Sequence, residues 1–147
     1  MTAMTKSYQD VSHQSHLEYP SSIFMRGSVD EDDFLHFSNF GGDASFRIKS
    51  LPNEEILTPG KIKTEFVKKT HSILVYDQEK DDFLLLSGFQ SENIFYSKIA
   101  LSEDRKQLYV LHISYPISDK AFDGIVLRMA GSFRAKGSRL SLLKIGG

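Results

Sequence analysis

Hydrophobic and polar positions alternate along most of the chain beyond residue 44. In residues 44–50, Phe46 and Ile48 fall on one side and Arg47 and Lys49 on the other. Residues 61–66 set Ile62, Thr64 and Phe66 against Lys61, Lys63 and Glu65. A period of two is the mark of a half-buried antiparallel strand. Residues 71–77, 83–89, 93–101 and 107–115 are strand-like runs separated by the charged turns 78–82 and 102–106. Residues 22–26 add a short strand. A final hairpin is expected from 131–135, a Lys136-Gly137 turn and 139–145. Short sequential turns between such runs describe a meander.

Two segments fit more than one element. In 28–40, Ser28 and Glu31 have capping-box spacing and an acidic first turn, which suits a helix. The Phe-rich run 34–40 followed by Gly41-Gly42 suits a hairpin with 44–50, and the hairpin is the expectation. In 118–129, Ala121, Phe122, Ile125, Val126 and Met129 match a helical face, whereas Asp123-Gly124 reads as a turn, with a strand expected from Gly124 onward. The fold class is therefore all-β: an antiparallel meander of about eight to ten strands closing as a barrel or β-sandwich, with at most one or two short helices. The short turns favour the barrel. Residues 1–20 are polar and read as an N-terminal arm, poorly ordered; 21–147 read as a single β domain.

Composition narrows the classes. The 147 residues suit one domain with a substantial core. There is no cysteine, which excludes disulfides, thiolate chemistry and Cys-ligated metals. No apolar run is long enough for a signal peptide or a membrane helix, so a soluble cytoplasmic protein is expected, with no membrane partner. The net charge of −1 argues against general nucleic-acid binding. It conceals a partition: residues 1–59 carry −5, 60–116 carry 0 and 117–147 carry +4.

Candidate chemistry is sparse. The sequence holds no nucleophile elbow, no phosphate loop, no EF-hand spacing and no RNA-recognition signature, so no catalytic residue and no cofactor is assigned. His13 and His16 stand at i, i+3, but without helical pattern or third ligand they read as a solvated tail, and no metal site is assigned. The acidic run 30–33 reads as a solvated loop or a helix start. His112 sits between Leu111 and Ile113: it faces outward if they face the core, and lines the interior if Val110 faces inward with it. In a barrel, His112, Tyr96 and Arg128 would be the residues to contact a small apolar or anionic ligand. Arg134, Lys136 and Arg139 form the basic end and are the residues expected to meet a protein partner.

The leading functional expectation is a protein-interaction module of inhibitor, immunity or effector type. The alternatives are a lipocalin-like small-molecule binding barrel, or a barrel enzyme using a histidine or carboxylate in its lumen. The sequence leans away from an enzyme and leaves the oligomeric state open.

Overall fold

The computed structural model describes residues 5–9, 15–55, 57–69 and 73–135. In chain order the elements are β1 (Thr5–Gln9), β2 (Ser15–Pro20), β3 (Phe24–Val29), β4 (Leu35–Asn39), β5 (Ser45–Pro52), α1 (Pro59–Lys69), β6 (Ile73–Glu79), β7 (Phe83–Gln90), β8 (Asn93–Leu101), β9 (Gln107–Pro116), α2 (Phe122–Ser132) and β10 (Arg134–Ala135). The chain is mostly β, and among the described residues every strand pairing is antiparallel. Seven strands form one sheet in the order β3-β4-β5-β9-β8-β7-β6, and β1-β2-β10 form a second.

Period two puts each strand's apolar set on a defined face. On the face toward α2, Phe37, Phe46, Ile113 and Tyr96 are opposed in a row across β4, β5, β9 and β8. Leu17 and Tyr19 of β2 pack onto that face, as do Phe122, Val126 and Met129 of α2. Phe37 and Phe46 stack at 4.5 Å, and Tyr19 meets both edge-on or tilted at 5.0 and 5.5 Å. On the opposite face Leu84, Leu86, Phe95 and Ile99 form a second cluster, covered by Ile62 and Phe66 of α1.

This layering corrects the barrel. The large sheet does not close, because β3 and β6 are its two edges. Its faces are buried instead by the small sheet and α2 on one side and by α1 on the other, so no wall has to curl over to make a core. Both edge strands also carry register shifts, between Arg26 and Val29 and between Leu74 and Tyr76. Such bulges twist an edge away from simple continuation.

Three element assignments change as well. Residues 61–66 lie in α1, not in a strand. Positions 62 and 66 satisfy both a period of two and an i, i+4 stripe, and Pro59 at the first helical position decides for the helix. Its first full turn closes with the Ile62 N–H donating to the Thr58 carbonyl at 3.0 Å. Residues 122–132 form α2, with Phe122, Val126, Met129 and Ala130 buried and Gly124 exposed in the first turn. Residues 15–20, expected in a polar arm, form β2, in which Ser15, Leu17 and Tyr19 are buried and Glu18 is exposed. The hairpin through Gly41-Gly42 is present, with Phe37 opposite Phe46 and Gly42 at φ 77°. The expected terminal hairpin is described only to Ala135; its turn and second strand, 136–145, lie outside the described residues.

Candidate functional site

The sequence-predicted residues are not brought together. His112 on β9 opposes Ser97 on β8 and lies on the α1 face. Tyr96 opposes Ile113 and packs against the other face. Arg128 is exposed on α2. Arg134 lies in β10, where its guanidinium donates to the Ser132 carbonyl at 3.2 Å. Lys136 and Arg139 are outside the described residues. An open sheet has no lumen for His112 and Tyr96 to share.

Among the described residues, two parts of the large sheet lie away from the main contacts of the helices. The first is the β4–β5 end of the α1 face, since α1 packs chiefly on β6 and β7. Here register builds a polar row, His36–Arg47–His112–Ser97, across β4, β5, β9 and β8. Beside it runs a row of small hydroxyls, Ser38–Ser45–Ser114. The ring of His112 stacks on Phe95 at 5.7 Å. Burial, and then the Arg47 charge beside it, pull the His112 pKa down to about 4, so the ring is neutral at pH 7. Arg47 and Lys49 both lie over the ring of Phe34, at 4.6 and 4.4 Å from its centroid.

The adjoining 30–33 loop is organised by Asp30. Its carboxylate accepts from the main-chain N–H groups of Asp32 (2.8 Å) and Phe34 (3.0 Å) and bonds His36 Nε2 at 2.6 Å. The His36 bond, ahead of the main-chain bonds, holds the carboxyl below the usual carboxylate range. The acidic run is thus a loop anchored on one residue. Among the described residues no group of three or more His, Asp or Glu side chains is placed to hold a metal.

The second part is the β6–β7 edge on the α2 face. Ile73 opposes Phe89 and Tyr76 opposes Ser87. Ile73 is 67% exposed, Val75 64%, Tyr76 50% and Phe89 36%. Ile73, Val75 and Tyr76 lie on the terminal strand β6, whose outer side has no strand partner among the described residues, and Phe89 lies beside them on β7. Val75 stands at the register shift of β6.

Between the two lies a buried charge that sequence reasoning missed. Lys98 is 7% exposed, and its Nζ donates to the carbonyl of Ala130 near the C-terminal end of α2 at 2.8 Å. The ammonium sits 4.5 Å from the centre of the Phe83 ring. Burial lowers its pKa to about 8, opposed by Asp82 and assisted by Arg134. The alternation of 93–101 marked Lys98 only as one polar residue within a strand. Arg47, Lys49 and Phe34 were likewise invisible as a group, because strand register brings them together.

No helix among the described residues is long and apolar enough to cross a membrane. By sequence, no known family and no curated protein matches the chain. Solved structures do match in fold. A crystal structure of a Bacteroides thetaiotaomicron protein superposes with a TM-score of 0.59 at 15% identity, over 94% of this chain and 50% of that one. This chain therefore spans half the length of that protein. The Saccharomyces cerevisiae Ran-binding protein Mog1p superposes with a TM-score of 0.57 at 11% identity, over 91% of this chain and 96% of that one. An E65A mutant of Mog1 gives 0.57 at 11% identity, over 93% and 98%. At these identities the likeness is one of fold, and the chain shares with them a layered antiparallel architecture.

Proposed function

We propose that the chain is a protein-interaction domain, and that its partner docks on the β6–β7 edge. The observation that carries this reading is the exposure of Ile73, Val75, Tyr76 and Phe89 together at an edge that the described residues leave unpaired. Large apolar side chains clustered at one place on a surface mark interaction sites, whereas isolated ones are ordinary. A free edge supplies main-chain donors and acceptors for an extended partner segment, and alternate side chains supply selectivity. That Mog1p, of the same fold, is a Ran-binding protein is consistent with a binding role for this architecture.

A photoreactive amino acid placed at Tyr76, in the cells that make this chain, tests the reading. The expected result is one discrete adduct from Tyr76 and none from the same probe at Leu127, which is exposed on α2. Equal adducts from both positions, or none from Tyr76, would overturn the assignment of this edge.

A further inference from the structure

On the opposite face of the sheet, two cations share one aromatic ring and have no ion-pair partner among the described residues. Arg47 and Lys49 are two apart on β5, so they point to the same side. Both charges lie within 5 Å of the Phe34 ring centre. Two positive groups at one ring make a local positive field that an anion would neutralise. Four carboxylates stand in the adjoining 30–33 loop, yet none forms an ion pair with either cation among the described residues. The Asp30 carboxylate is turned to His36 and to the N–H groups of Asp32 and Phe34. Lys49 Nζ takes the main-chain oxygen of Asp32, at 3.0 Å, and not a carboxylate. Arg47 Nε is buried and has no hydrogen-bond partner. A buried donor left unmade is unusual, and a bound ion is one way to satisfy it.

We propose that this half-buried corner of the sheet is an oxyanion-binding site, in which a phosphate or carboxylate group is held by the Arg47 guanidinium and the Lys49 ammonium beside Phe34. The guanidinium offers a planar fork that matches either group, and its contact with the Phe34 ring restrains it in advance. Preorganisation of that kind reduces the ordering needed at binding. The Ser45 and Ser114 hydroxyls in the neighbouring row and the neutral ring of His112, opposite Arg47 on β9, add polar groups, while on β4 the residue opposite Arg47 is His36, which bonds the Asp30 carboxylate. His112 adds hydrogen-bonding capacity without a third positive charge. The site lies on the face away from Tyr76 and Phe89, so it stands or falls separately from the proposed protein-docking edge.

The test is an NMR titration of the whole chain at low ionic strength, following the Arg47 Nε–H signal. Inorganic phosphate and acetate are the two probes, with sodium chloride at matched ionic strength as the reference. The expected result is a saturable shift with at least one oxyanion, and an apparent Kd about tenfold weaker in Lys49→Gln, the loss of one charge-assisted contact. Saturation by phosphate alone identifies a phosphate site, by acetate alone a carboxylate site, and by both a general oxyanion site. Arg47→Gln should abolish binding as read from the backbone amides of β5. Shifts no larger than those from chloride, or an unchanged titration in Lys49→Gln, would overturn the proposal. Lys49 is only half-buried, so its variant remains informative if Arg47→Gln fails to fold.

Discussion

Replacing Lys98 by Met should stabilise the protein at neutral pH and flatten its alkaline stability profile. The ammonium of Lys98 is buried between β8 and α2 with one main-chain acceptor, the Ala130 carbonyl. Its folded-state pKa is about 8, against an ordinary 10.5. The folded protein therefore holds this proton less tightly than the unfolded chain. Below pH 8 both states are protonated and the full penalty applies. Between pH 8 and 10.5 the folded state releases the proton first, so stability rises with pH. At ~1.36 kcal/mol per pKa unit, the rise is about 3 kcal/mol. Met keeps the volume and removes the charge, but takes from the Ala130 carbonyl the shorter of its two donors and leaves it the Phe133 N–H at 3.3 Å, which costs about 1–2 kcal/mol. The balance is a gain of about 1–2 kcal/mol at pH 7, in line with the frequent stabilisation when a buried charge becomes apolar. Urea denaturation of both proteins at pH 7, 9 and 10.5 measures this. Tyr115, whose pKa is raised by burial and by the Asp123 hydrogen bond, also responds at high pH, but it cancels in the difference between the two proteins. Parallel pH profiles, or a loss of several kcal/mol at pH 7, would refute the view that Lys98 is a net penalty in the fold.

Three further outcomes follow from the same structure. His112, with a folded pKa of about 4 against 6.5, should make the protein lose about 3 kcal/mol as pH falls from 6.5 to 4, and His112→Gln should remove most of that acid limb in the same urea assay. Gly88→Ala should loosen the β6–β7 pairing, because a Cβ there collides with the carbonyl oxygen of Ile73; faster amide exchange across Ile73–Glu79 than across β9 would report it. Phe46→Ala removes the ring stacked on Phe37 and met by Tyr19 and Phe24, and should cost about 3–5 kcal/mol by denaturation.

How far the sequence reached can be read from particular residues. The strands 83–90, 93–101 and 107–116 were plain, because alternation and charged turns agreed there. The helix α1 was hidden, since Ile62 and Phe66 satisfy two periods at once and the Thr58-Pro59 start signal was passed over. The helix α2 was weighed on its correct face, with Phe122, Val126 and Met129, but Gly124 suggested a turn; buried neighbours at i+4 and i+7 outweigh one exposed glycine. In β2 the alternation of Leu17, Glu18 and Tyr19 was present but masked by polar composition around it. Barrel against layers was not legible, because it depends on what covers each face of the sheet. The candidate sites were the least legible. His112 was singled out, but its relation to Arg47, and that of Lys49 to Phe34, arises from register between strands distant in sequence. Charge arithmetic pointed to the basic last third, whereas Arg47 and Lys49, the two cations that share the Phe34 ring, lie in the acidic first segment.

The interaction reading rests on the edge strand, and amide hydrogen exchange of β6 tests it most directly. Once the species cross-linked through Tyr76 has been identified and purified, exchange at Ile73–Glu79 is compared in the free chain and in the complex. Strand addition at this edge predicts slowed exchange at the outward-facing amides of β6, with β3, at the far edge of the sheet, unchanged. Equal exchange at β6 in the free chain and the complex, or protection confined to β3 or α2, would contradict the account.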